Sequence, residues 1–189
     1  IEPIEGDYLE FRLRRYLTFA EFKSELAPHF GLGLEGYATW TSPIRKYSDM
    51  VNHRLIKAVL TQQACNKLQD EVLARLQEAR RQNRLVERDI ADWLYCRYLA
   101  DKVASNAEFE AEVQDVMRGG LRVQLLENGA SMFIPASTLH NNKEEMQVNS
   151  DEIALYIKGE RIYKIGDIVK VKLTEVKEAT RSIVGEIVQ

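Results

Sequence analysis

The sequence predicts an α+β protein in which a mainly helical first part is followed by a small closed β-barrel. Three observations predict it. Apolar residues recur at three- and four-residue steps up to about Val103, the period of a helix face. From Ala104 the pattern changes to short runs of two-residue alternation, the period of a strand. Gly119-Gly120 and Asn128-Gly129 then fall between those runs, where a bend and a hairpin turn belong.

Taken in order, Asp7 to Leu26 places Tyr8, Phe11, Leu13, Tyr16, Leu17, Phe19 and Phe22 among charged residues, an amphipathic helix with room for a break near Thr18. Its cations Arg12, Arg14 and Arg15 suit either a solvated face or a nucleic-acid contact. Pro28, Gly31, Gly33 and Gly36 interrupt the period, and Phe30 to Trp40 fits a loop or a short strand equally well. Ser42-Pro43 is a helix-start signal, with a side-chain oxygen at the N-cap and proline at the first helical position. Met50, Val51, Leu55, Ala58 and Val59 continue that helix to about Leu60. After the polar connection Thr61 to Asn66, a second helix is expected from about Leu68 to Val103. Its stripe is Val72, Leu76, Ala79, Val86, Ile90, Trp93 and Leu94. Asn83 interrupts the stripe, and Arg80, Asn83 and Glu87 share one side of the helix.

Five strands are expected after that: Phe109–Val116, Leu121–Leu125, Ser131–Ile134, Asp167–Leu173 and Ser182–Val188. Five short strands in about 80 residues suit a five-stranded barrel of the OB type. The organisation is therefore a helical part, residues 1–103, and an OB-fold module, residues 104–189.

Composition narrows the function. A hydrophobic fraction of 45% and a charged fraction of 29% describe a folded globular chain, and no apolar run reaches membrane-spanning length. Cys65 and Cys96 lie far apart in no metal-binding spacing, which fits a reduced, cytoplasmic protein. His29, His53 and His140 are too scattered for a zinc motif. A net charge of −3 argues against a generic nucleic-acid coat but allows a local basic channel. The start Ile1-Glu2-Pro3, without methionine, suggests a piece of a longer polypeptide or a processed product.

Chemistry concentrates between Tyr37 and Arg54. Arg45 and Lys46 fall at the expected helix start, where the macrodipole favours carboxylates, so they gain nothing for the helix. A phosphate at that helix start would explain them, with Tyr37, Trp40 and Tyr47 near enough in sequence for a base or ribose to stack on. On pattern alone, surface cations and core aromatics account for the same residues.

The run His29-Phe30-Gly31-Leu32, then Tyr37-Ala38-Thr39-Trp40-Thr41-Ser42-Pro43-Ile44-Arg45-Lys46-Tyr47, then Asp49, His53 and Arg54, closely resembles the catalytic-domain signature of ribonuclease II. That family consists of processive exoribonucleases acting from the 3′ end. Asn83-x-x-x-Glu87-Arg88 resembles the family pattern downstream, which implies that Glu87 sits by the terminal nucleotides. A carboxylate there can accept a hydrogen bond from a ribose 2′-hydroxyl, one way of telling RNA from DNA. On composition alone, Glu87 paired with Arg84 or Arg88 on an exposed helix serves as well.

Gly119-Gly120-Leu121, Phe133-Ile134-Pro135-Ala136-Ser137 and Tyr163-Lys164-Ile165-Gly166-Asp167 are similar to the RNA-binding OB module named after ribosomal protein S-one. Relatives of ribonuclease II end in such a module. Arg122 stands where an aromatic is common and Pro135 where a histidine is common, so the stacking platform is thin. Phe133, with His140 and Tyr163 as further candidates, stands beside Arg118 and Arg122; binding should lean on phosphate and be salt-sensitive.

The resemblance implies a parent enzyme that hydrolyses single-stranded RNA to nucleoside 5′-monophosphates with Mg²⁺ held by clustered aspartates. Asp49, Asp89 and Asp92 lie at spacings that do not converge, and Asp151-Glu152 stands alone, so no metal ligands are expected within this chain. In relatives the metal-binding aspartates lie upstream. The resemblance thus implies the last third of such an enzyme, with the upstream part of the same polypeptide as its partner. Arg45 would face the scissile phosphate and Glu87 the terminal ribose. By itself the chain should bind RNA weakly, fail to hydrolyse it, and expose an apolar helical face. Two other classes compete: a non-catalytic RNA-binding adaptor, and an interaction protein using the long helix as an assembly surface.

Overall fold

The computed structural model describes residues 20–65, 68–150 and 152–188. The helix expected over most of Asp7 to Leu26, with Arg12, Arg14 and Arg15, lies largely outside them. Two compact units are present, one of residues 16–85 and one containing residues 86–189.

In the first unit, the glycine-rich approach closes on itself. His29 and Leu34 exchange backbone hydrogen bonds around a short 3₁₀ turn, Phe30–Leu32, and Gly33 sits at φ +62°, the left-handed position where a side chain would be strained. Helix α1 spans Tyr47–Leu60. It begins four residues later than the Ser42-Pro43 signal suggests. Pro43–Arg45 form a turn instead, in which the backbone N–H groups of Arg45 and Lys46 both donate to the Ser42 carbonyl, at 3.2 and 2.9 Å. Lys46 is the N-cap, and no side-chain cap bond is made there. Asp49, at the third helical position, reaches back past the cap and accepts from the Ser42 N–H.

Helix α2 spans Asp70–Ala104, 35 residues, close to the expected limits. In its first unit portion, Gln77 and Arg80 hold the Ala20–Phe22 segment: the Phe22 N–H donates to Gln77 Oε1 at 3.3 Å, and the Arg80 guanidinium lies over the Phe22 ring at 5.4 Å. The stripe read from sequence departs from expectation beyond that point. Val86, Ile90, Trp93 and Leu94 are exposed, whereas Cys96 and Leu99 are fully buried. This helix carries two apolar faces, and the barrel takes the one marked by Tyr95, Cys96, Leu99 and Val103.

The second unit contains the OB-type barrel. Strands β1 (Glu108–Met117), β2 (Gly120–Leu125) and β3 (Ser131–Pro135) form an antiparallel meander. After the short helix α3 (Ala136–Leu139) comes a three-stranded sheet: β4 (Met146–Asn149), β5 (Ala154–Ile157) and β6 (Glu160–Lys164). Strands β7 (Ile168–Lys177) and β8 (Ser182–Ile187) complete the barrel in the order β1-β2-β3-β8-β7, closed by the parallel pairing of β3 with β8. All five expected strands are present; the β4–β6 sheet is an addition. Its sequence signal is weak, with four-residue strands and a Lys158-Gly159 turn at φ +54° and +83° in place of Asn-Gly.

Alternation sets the barrel core. Phe109, Ala111 and Val113 of β1, Leu121, Val123 and Leu125 of β2, and Met132 and Ile134 of β3 all point inward. Gly120 makes the tight β1–β2 connection possible: at φ +143°, a Cβ on it would lie 1.9 Å from the Ile134 carbonyl oxygen. The Asn128-Gly129 turn is fastened by the Asn128 side chain accepting from the Ala130 N–H at 2.9 Å, and by the Tyr95 hydroxyl donating to the Asn128 carbonyl at 3.0 Å.

Candidate nucleic-acid interface

The segment carrying Tyr37, Trp40, Arg45, Lys46 and Tyr47 is braced from behind by α1. Asn52 Nδ2 donates to the Thr39 carbonyl at 2.7 Å, and His53 Nε2 bonds the Trp40 carbonyl at 2.9 Å. The His53 imidazole also stacks on the Trp40 indole, 4.2 Å between centroids and 18° between planes. Tyr37 meets the edge of His29 at 5.4 Å. One indole face is therefore already occupied, while Trp40, Tyr37 and Tyr47 all remain substantially exposed. Arg45 and Lys46 are exposed on the turn beside them.

Asp49 lies beneath this turn and is fully buried. Its carboxylate accepts from the Ser42 N–H at 2.9 Å and from the Ser48 hydroxyl at 3.2 Å. The Thr39 hydroxyl is the strongest influence holding its pKa below the ordinary value. Burial opposes that shift, and Ser42, Ser48 and the charge of Lys46 reinforce it. The helix-start geometry changes the anion argument: the N–H groups of Arg45 and Lys46 are bonded to Ser42, so the cationic side chains are what the turn offers.

Glu87 belongs to the second unit and is exposed on α2, as is Arg88. Two residues along, Asp89 pairs with Arg181 of the β7–β8 connection at 3.2 Å, and further on Arg97 lies over the Trp93 ring at 4.9 Å.

On the barrel, β2 and β3 set Arg122 directly opposite Phe133, with Gly119 leaving room beside the Phe133 ring. Arg118 is exposed at the β1–β2 turn. Arg122 is partly engaged, because its guanidinium donates to Asp115 at 2.9 Å across the β1–β2 pair. His140 and Tyr163 have partners of their own. His140 Nε2 bonds Glu145 at 2.7 Å, and Tyr163, on β6, packs against the core, where burial pushes its hydroxyl pKa up.

Sequence reading leaves Asp49 among carboxylates that fail to converge and assigns nothing to Asn52 or Asp115. Each acts through a partner distant along the chain, although Asp49 at the third helical position was a usable capping signal. Among the described residues no group of three or more His, Cys, Asp or Glu side chains is placed to hold a metal ion. No described helix is long and apolar enough to cross a membrane.

Two known families match parts of the chain. Residues 2–62 match the RNB domain, and residues 102–187 match the S1 RNA binding domain. Over all 189 residues the chain is 92% identical to Exoribonuclease 2 of Haemophilus influenzae strain 86-028NP. The chain carries an RNB segment and an S1 domain. It is also 80% identical to Exoribonuclease 2 of Actinobacillus succinogenes over 188 residues, and 75% identical to that of Pasteurella multocida over 185 residues, or 98% of the chain. It spans only about 29% of the length of these RNB-family relatives. The fold is shared with Mycoplasma genitalium RNase R, at a TM-score of 0.78 and 21% identity, covering 93% of this chain and 28% of that one. It is shared as well with the Dss1 exoribonuclease of Candida glabrata, at a TM-score of 0.69 and 16% identity, covering 95% of this chain and 21% of that one. An RNB-family segment joined to an OB-type barrel is therefore the architecture at hand.

Proposed function

We propose that this chain is the RNA-gripping end of a 3′–5′ exoribonuclease that releases nucleoside 5′-monophosphates from single-stranded RNA during RNA decay in the cytoplasm. In this reading residues 1–103 belong to the catalytic domain and 104–189 to the OB module. The observation that carries it is the exposed Arg45 on a turn braced at Thr39, Trp40 and Ser42 by side chains of α1. A guanidinium so held stabilises charge developing on the scissile phosphate without reorganising. Glu87 accepts from the terminal ribose hydroxyl. On the barrel, Phe133 stacks on a base while Arg118 and Arg122 contact phosphates. The relatives' name, Exoribonuclease 2, and the structural likeness to Mycoplasma genitalium RNase R in complex with ribose methylated single-stranded RNA support this substrate class.

Hydrolysis in this reading uses Mg²⁺, which supplies an activated water and charge neutralisation when bound. In this reading its ligands are aspartates of the upstream part of the polypeptide, and this chain's own residues bind and orient the RNA. The test is a denaturing-gel time course on 5′-labelled single-stranded RNA with Mg²⁺, comparing this chain with a full-length polypeptide containing it. Shortening from the 3′ end by the full-length protein alone is expected. Cleavage by this chain by itself would place the metal ligands here, and inactivity of both would favour a non-catalytic RNA-binding adaptor.

A further inference from the structure

We propose that Asp49 is a positioning residue that sets the Ser42–Lys46 turn and thereby the orientation of Arg45. This inference rests on the role of Arg45 given above.

Asp49 is a fully buried charged side chain in a unit where α1 buries little else: Val51 is its other buried residue. A buried carboxylate is tolerated only where hydrogen bonds replace its water, and here all of them come from one short stretch of chain. Ser42 N–H, Ser48 Oγ and the Thr39 hydroxyl converge on it. Ser42 is thus held from both sides. Its N–H is fixed by Asp49, while its carbonyl accepts from Arg45 N and Lys46 N. Arg45 cannot shift its backbone without moving Ser42, and Ser42 cannot move without stranding a buried carboxylate. Asp49 has no surface with which to meet RNA, so its influence on the reaction passes through the turn.

The test is a double-mutant cycle in a full-length polypeptide containing this segment, reading the single-turnover rate and the RNA affinity separately. Asp49→Asn keeps the volume but replaces an acceptor oxygen by a donor. It should lower the rate roughly 10- to 100-fold, in line with a small misplacement of a catalytic group, while RNA affinity changes less than about threefold. In an Arg45→Ala background the same substitution should lower the rate by less than about threefold more, since the group it positions is gone. Additive losses, or a loss in affinity alone, would overturn the proposal. Should Arg45→Ala retain full activity while Asp49→Asn does not, the role of Arg45 fails and Asp49 acts by another route. If Asp49→Asn does not fold, Thr39→Val removes one donor and should show the same non-additivity at smaller amplitude; additivity there overturns the proposal equally.

Discussion

The imidazole of His53 and the indole of Trp40 lie stacked 4.2 Å apart, and the same ring bonds the Trp40 carbonyl at 2.9 Å. A single side chain thus fixes both the ring and the backbone of Trp40. His53→Ala removes one hydrogen bond and one stacking partner, together about 1–2 kcal/mol of local stability. Amide hydrogen exchange across Tyr37–Ser42 should accelerate by about tenfold or more. Unchanged protection would mean that the segment is held by Asn52 and Asp49 without help from His53.

Arg45→Ala in a full-length polypeptide should lower the hydrolytic rate by roughly 10²–10³ with little change in RNA affinity, as for loss of a preorganised charge donor. A rate loss below tenfold in single-turnover kinetics would refute the assignment.

The Asp49 carboxyl titrates below its ordinary value of 3.8, held there chiefly by the Thr39 hydroxyl. A depressed folded-state pKa contributes stability that is fully present above the unfolded value and disappears as pH falls through the lower folded one. Urea unfolding followed in the α1 region should therefore show the wild type losing its advantage over Asp49→Asn below about pH 3.8. A constant difference across that window would show that Asp49 titrates normally.

Because Asp115 already engages Arg122, the two make opposite predictions for RNA binding. Arg122→Ala should weaken binding of single-stranded RNA and reduce the salt slope by about one contact, whereas Asp115→Asn should strengthen binding. Fluorescence anisotropy at two salt concentrations distinguishes them. Equal affinities for all three proteins would remove Arg122 from the interface.

Gly120→Ala places a Cβ 1.9 Å from the Ile134 carbonyl oxygen at a backbone φ of +143°. The barrel should lose more than about 2 kcal/mol, read as a fall in its melting temperature. An unchanged melt would mean that the β1–β2 connection rearranges without strain.

Several features were determined by the amino-acid sequence alone. The span of α2, the five barrel strands and the two glycine turns follow from periodicity and backbone freedom, which act over a few residues and are legible in one dimension. The family signature around Arg45 is equally local. What the tertiary structure decided is where local rules met distant partners. Ser42-Pro43 reads as a helix start, yet the helix begins at Tyr47, and the turn before it is tied to the helix by the buried Asp49 carboxylate accepting from the Ser42 N–H. Val86, Ile90 and Trp93 read as the apolar stripe of the helix, but burial goes to Cys96 and Leu99, since only packing against the barrel selects between two apolar faces of one helix. Arg122 reads as a free cation until the β1–β2 register brings Asp115 beside it. In each case the deciding energy is a hydrogen bond or contact across the fold, and sequence spacing carries no record of it.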